Sequence, residues 1–315
     1  MSASMAADVQ PAPPFGDRLA SAVRRRESAI VVGLDPDPAR LWPGGSPLPG
    51  DLAPADAAAA AVADHCRRVL DAVAPACVAV KLQSASFERL GAPGQEALAA
   101  TVAHAGDLDL LVLLDAKRGD IDVSAASYAN AAYGSTATPW GPVAGTGADA
   151  VTVAPYMGRD SLRPFVTLAA DRGAGTFVLV RTSNPGAADL QELLLADGEP
   201  VWAHVARMVA EIGAEPTSAA PGATLDAVGA VVGATAPERI ARLRELMPRT
   251  PFLLPGVGAQ GGRVEDLAPA FAPGPGGALI TASRSIVGAG AAAGGDPAAA
   301  ALRAAEALRA TAAAL

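Results

Sequence analysis

The chain has 315 residues, enough for one large domain or two modest ones. Its net charge of −8 argues against nucleic acid as the principal partner, and its 51% apolar residues give ample material for a core. No stretch reaches the roughly 18 to 20 apolar residues a membrane helix needs, and the Ala- and Pro-rich start lacks the charged and apolar segments of a signal peptide.

Residues 1–14 read as a disordered or extended arm, and 15–315 as one domain. In chain order, short apolar runs predict strands at 30–34, 78–82, 110–114, 150–153, 177–180, 228–232, 252–254 and 278–280. Helical patterns lie between them at 54–73, 94–104, 124–133, 160–171, 189–212, 237–247 and 262–271, and an Ala-rich helix closes the chain at 297–311. Ser124, Asp160 and Asp189 are candidate helix N-caps. Cys66 and Cys77 stand in no metal-ligand spacing and read as small buried hydrophobes, which fits a reducing cytoplasm.

Strands alternating with helices imply parallel strands joined by right-handed crossovers. Eight such units suit an α/β fold of the (β/α)8 TIM-barrel type, here with an N-terminal helical arm and loop insertions at 134–147 and 214–224. A doubly wound open sheet is the second choice. In a barrel the working face lies at the strand C-termini, and polar residues gather there. The first strand ends in Asp35, the second in Lys81 and the third in Asp115 and Lys117. The fifth leads into Thr182-Ser183-Asn184, the seventh into a glycine-rich loop from Pro255 to Gly262, and the eighth into Ser283-Arg284-Ser285.

The segment Asp115-Ala-Lys117-Arg-Gly-Asp120 is the densest of these in chemistry. Residues two apart on a strand share a face, so Asp115 and Lys117 project together. Charge at a buried strand end is expensive unless it is paired or used. With Lys81 the signs alternate through Lys81, Asp115, Lys117 and Asp120, so each ammonium is expected to stay protonated and serve as an acid and electrostatic clamp rather than a nucleophile. Gly256, Gly258 and Gly261 can bring backbone amides close to an anion, and Arg284 offers a fork suited to phosphate oxygens. His65, His104 and His204 all fall on predicted exterior helices, no metal-ligand set is visible, and Ser183 lacks a nucleophile-elbow pattern.

These motifs resemble the orotidine 5′-monophosphate decarboxylase family, over roughly residues 15–288. Leu111-Val-Leu-Leu-Asp115-Ala-Lys117-Arg-Gly-Asp120-Ile121 is similar to the family signature, as are Val31-Val-Gly-Leu-Asp35-Pro36 and Val78-Ala-Val-Lys81 to its first two strand ends. Ser183-Asn-Pro-Gly186 and Pro255-Gly-Val-Gly-Ala-Gln260 are similar to its pyrimidine-side and phosphate-side loops, and the fuller Thr182-Ser183-Asn-Pro-Gly186 with Val232-Gly-Ala-Thr-Ala-Pro-Glu238 resembles the longer bacterial branch. The resemblance implies cofactor-free conversion of orotidine 5′-monophosphate to UMP and CO2, the last step of de novo pyrimidine nucleotide synthesis, in a cytoplasmic homodimer with shared sites. It implies that Asp35 and Lys81 hold ribose hydroxyls and that Asp115 and Lys117 flank the reacting carbon. Asp120 would reach the neighbouring subunit's site, with Ile121 beside the substrate and Ser124 near the ribose. Ser183 would contact the pyrimidine, and Pro255, Gln260 and Arg284 the phosphate. The rivals are a Mg2+-dependent keto-sugar-phosphate decarboxylase or hexulose-phosphate synthase, which Lys81 disfavours because a metal site wants a carboxylate there, and a non-catalytic phosphate-binding barrel.

Overall fold

The computed structural model describes residues 13–215, 223–258, 261–292 and 295–315. The 1–14 arm and the 214–224 insertion therefore lie mostly outside the described residues, and Gln260 wholly so. Eight parallel strands close into a barrel: β1 (Ile30–Leu34), β2 (Ala79–Gln83), β3 (Leu111–Arg118), β4 (Ala150–Val153), β5 (Gly175–Arg181), β6 (Val228–Val232), β7 (Phe252–Leu254) and β8 (Ala278–Ala282). Each strand pairs with its successor and β8 pairs with β1, which gives the expected (β/α)8 barrel rather than an open sheet.

The two-residue period of the strands sorts the core into two layers. Val31, Ala79, Leu113, Phe177, Val231 and Leu279 fill the barrel, while Val32, Val80, Val112 and Val178 pack outward under the helices. The N-terminal helix α1 (Phe15–Arg26) stoppers the end where the strands begin. Phe15 and Leu19 join the interior cluster, and Phe15 meets Phe177 edge-on at 5.9 Å between ring centroids. Gly175 makes this possible, because a Cβ there would lie 2.5 Å from the Phe15 ring. Sealing one end of the barrel with apolar side chains leaves the end at the strand C-termini for a ligand.

Several local expectations need correction. The helix predicted at 189–212 starts only at Val201 (Val201–Gly213). Gly198 at φ 81° and Pro200 interrupt it, and the preceding segment folds back through a bridge between Leu194 and Pro200. None of the three candidate N-caps caps a helix. Ser124 lies inside Asp122–Tyr133, Asp160 is the second residue of Arg159–Arg172, and Asp189 ends a 3-10 turn. The helix at 159 is entered instead through Gly158, whose φ of 93° turns the chain without a side-chain cap. The segment expected as a helix at 262–271 is a 3-10 helix, Val264–Phe271, with Pro269 removing an amide from it. The 134–147 insertion carries a small antiparallel ribbon, Ser135–Thr136 against Val143–Ala144.

None of the three histidines and two cysteines stands at a strand C-terminus. His65 is buried, and its Nδ1 accepts the Trp42 amide at 3.1 Å. Burial, helped by Arg68, lowers its imidazole to about 4, so the ring stays neutral. His104 pairs with Asp71 at 2.7 Å, and His204 is exposed on the outer face of Val201–Gly213. Cys66 and Cys77 are buried and free, and burial pushes both thiols up to about 12. Among the described residues no helix is long and apolar enough to cross a membrane.

Candidate active site

A cavity of about 470 Å3 opens at the strand C-termini, a size suited to a small ligand. Its charged floor comes from β1, β2 and β3. Lys81 and Asp115 are each only 7% exposed, so their charges need partners. Lys81 Nζ lies 2.7 Å from Asp115 Oδ2 and 3.7 Å from Asp35 Oδ1. Lys117 Nζ lies 2.5 Å from the other oxygen, Asp115 Oδ1. One carboxylate thus holds an ammonium on each side. Burial by itself would raise the Asp115 carboxyl, but Lys81 and then Lys117 outweigh it and hold the group at about 2. Asp115 is therefore anionic throughout the neutral range.

Lys117 reaches this position through an irregular strand end. Leu114 pairs with Val151 and Arg118 with Val153, so four steps along β3 match two along β4. Such a bulge re-aims side chains. Lys117 sits within it at φ 46°, a left-handed conformation that typically costs a non-glycine residue on the order of 1–3 kcal/mol. Asp115 and Lys117 do project together as the spacing predicts, but a bulge rather than plain alternation brings the two together. Thr152 of β4 closes the arrangement: its Oγ1 accepts the Lys117 amide at 2.9 Å and donates to Asp115 Oδ1 at 2.9 Å.

The opposite walls are polar but less charged. Thr182, Ser183 and Asn184 line the cavity from the loop after β5. That loop lies against Gly233, where a Cβ would come within 2.9 Å of the Ser183 backbone. Pro255, Gly256 and Val257 line it after β7, and Ser283 and Arg284 after β8. Arg284 is exposed and forms no ion pair among the described residues, so its guanidinium is available to an anion.

A family model for orotidine 5′-phosphate decarboxylase / HUMPS proteins matches residues 28–304. The chain belongs to this family. Orotidine 5′-phosphate decarboxylase from Rhodopirellula baltica is 42% identical over 283 residues, covering 87% of this chain and 88% of that protein. The protein of the same name from Halorubrum lacusprofundi is 44% identical over 252 residues, covering 80% and 77%. Among solved structures, Leishmania donovani OMP decarboxylase matches with a TM-score of 0.70 at 32% identity, covering 95% of this chain and 98% of that one. A chain from Streptomyces avermitilis matches with a TM-score of 0.75 at 35% identity, covering 98% and 99%.

Of the residues singled out by strand-end position or by likeness to the decarboxylase family, the fold gathers Asp35, Lys81, Asp115, Lys117, Ser183, Pro255, Gly256 and Arg284 around one cavity. It does not bring Asp120, Ile121 or Ser124 into that cavity. Ile121 and Ser124 are exposed, and Asp120 Oδ1 accepts the Ile121 amide at 2.9 Å. Gly258 and Gly261 adopt left-handed φ values of 74° and 92°, but their amides donate within the loop, to Gly262 O and Gly258 O. Of the three glycines only Gly256 faces the cavity.

Thr152 and the support of the Ser183 loop were not found from the sequence. Gln191 accepts the Thr182 amide at 2.9 Å and returns a hydrogen bond to its hydroxyl. Glu192 receives Arg181 at 2.7 Å, Arg239 at 3.0 Å and the Trp202 indole at 3.2 Å. Both carboxamide and carboxylate lie in the segment misread as helix. Among the described residues no cluster of three or more His, Cys, Asp or Glu side chains could hold a metal ion. The two carboxylates on the cavity floor, Asp35 and Asp115, already share the Lys81 ammonium.

Proposed function

We propose that this chain decarboxylates orotidine 5′-monophosphate to UMP and CO2 without a cofactor, with Lys117 as the electrostatic clamp and proton donor. The observation that carries this reading is the pair of ammonium groups held on one buried, anionic Asp115 at the mouth of the barrel. The two lysines differ in access. The Lys81 side chain is 9% exposed and that of Lys117 is 44% exposed. Lys117 is thus the one that can meet a ring carbon, and Lys81 ties Asp35 to Asp115.

The chemistry follows from charge. When the bond from C6 to the carboxylate breaks, CO2 departs and the electron pair stays on C6. An ammonium at about 4 Å lowers the energy of that pair by roughly 4 kcal/mol at an effective dielectric near 20. The Lys117 ammonium then gives C6 its proton, and water restores the proton to the amine. One such contact falls short of what a slow uncatalysed decarboxylation demands. Binding of the remote groups supplies the orientation that completes it. In this assignment Asp35 takes the ribose hydroxyls, Ser183 the pyrimidine, and Pro255, Gly256, Gln260 and Arg284 the phosphate.

The same reading makes the protein a cytoplasmic homodimer in which Asp120, Ile121 and Ser124 complete the partner's site. Ile121, Val123 and Tyr128 are exposed at and after the end of β3, and Tyr156 and Met157 are exposed on the loop after β4, apolar side chains that a second copy could cover. The test is direct. Purified protein with EDTA present should convert orotidine 5′-monophosphate to UMP, read as loss of orotate absorbance. A metal-dependent sugar-phosphate reaction would stop under chelator, and absence of orotidylate turnover would remove the proposal.

A further inference from the structure

We propose that Thr152 is a positioning residue, holding the Lys117 ammonium at the reacting carbon through a single hydroxyl that bridges the Lys117 backbone to the Asp115 carboxylate. The inference rests on the reading of Lys117 as proton donor. Thr152 is 1% exposed on a strand otherwise made of Ala150, Val151 and Val153, so its hydroxyl needs partners to be tolerated there. It has both. The oxygen accepts the Lys117 N–H at 2.9 Å, and the proton goes to Asp115 Oδ1 at 2.9 Å.

The position of these bonds gives them their role. The bulge takes the Lys117 amide out of regular register with β4. With the regular ladder partner lost, Thr152 supplies the acceptor for the part-buried Lys117 N–H. The bond also opposes relaxation of Lys117 from φ 46° toward the extended region, which would swing the side chain away from the line it now follows to Asp115 Oδ1. Meanwhile the hydroxyl proton fixes the same carboxylate oxygen that holds the ammonium. Backbone and side chain of Lys117 are therefore pinned at two ends by one β-branched residue with few rotamers. Only a group that is donor and acceptor at once can do this, which excludes valine and alanine.

Four forms of the full-length protein test the idea: wild type, Thr152→Val, Thr152→Ser and Lys117→Ala. Each is assayed for kcat and KM with orotidine 5′-monophosphate and for UMP affinity. A loss of alignment at the reacting atoms predicts that Thr152→Val lowers kcat by ~10- to 100-fold while KM and UMP affinity stay within about threefold. Thr152→Ser restores the hydroxyl and keeps kcat within about threefold of wild type. Wild-type kcat in Thr152→Val would overturn the inference, as would a serine variant as slow as the valine one, because the methyl packing would then be the cause. Should Thr152→Val not fold, Thr152→Ala replaces it in the comparison with serine. Lys117→Ala separates the two levels: if it still turns over, the catalytic reading fails, and if it is inactive beside a fully active Thr152→Val, only the positioning role fails.

Discussion

Replacing Lys117 with alanine should lower kcat by about ten-thousand-fold or more, the combined effect of removing a general acid and a preorganised charge. UMP affinity should stay within about tenfold, because the phosphate and ribose contacts remain. The fold should survive the change. Asp115 keeps Lys81 at 2.7 Å and the Thr152 hydroxyl at 2.9 Å, so no buried charge is left unpaired. Lys81→Ala is a different experiment, since it removes the ammonium that is buried with Asp115 and would disturb stability and catalysis together. Steady-state kinetics with calorimetric titration of UMP check the Lys117 prediction. Turnover near the wild-type rate would show that the proton comes from elsewhere.

Mixing two inactive variants should recover activity. Asp120 does not enter its own cavity, and its carboxylate accepts only the neighbouring Ile121 amide among the described residues. Its neighbours Ile121 and Val123 are 47% and 80% exposed, apolar side chains that contact with a second copy would cover. If Asp120 completes the partner's site, Lys117→Ala and Asp120→Ala should each be inactive alone. After subunit exchange half the dimers are mixed, and each mixed dimer holds one intact site and one doubly defective site. Recovery should therefore approach about a quarter of wild-type activity, as two-fold symmetry requires. No recovery, with exchange demonstrated by differently tagged chains, would place Asp120 outside the shared site.

The strand ends were readable in the sequence for a physical reason. Buried strands are short apolar runs, and charge at their ends is too expensive to place idly, so Asp35, Lys81, Asp115 and Lys117 stand out without any structure. The bulge at Lys117 was not readable, because it arises from how β3 pairs with β4 and not from local preference. Thr152 was invisible for a related reason: a threonine in a strand reads as an ordinary β-former until its partners are known. Gln191 and Glu192 were lost inside a predicted helix, although Gly198 and Pro200 carried the signal that the helix starts later. The glycine loop shows the limit of composition. Left-handed glycines were expected and are present, yet the turn directs the amides of Gly258 and Gly261 back onto the loop itself.

In the proposed reaction the Lys117 ammonium stands where electrons accumulate as CO2 leaves. A crystal structure of the protein with a UMP analogue substituted at C6 would reveal this placement. Lys117 Nζ should face C6 at hydrogen-bonding distance from the substituent, still paired with Asp115, with the phosphate on Arg284. A complex in which the position-117 side chain turns away from the base, or in which the base lies elsewhere in the cavity, would contradict it.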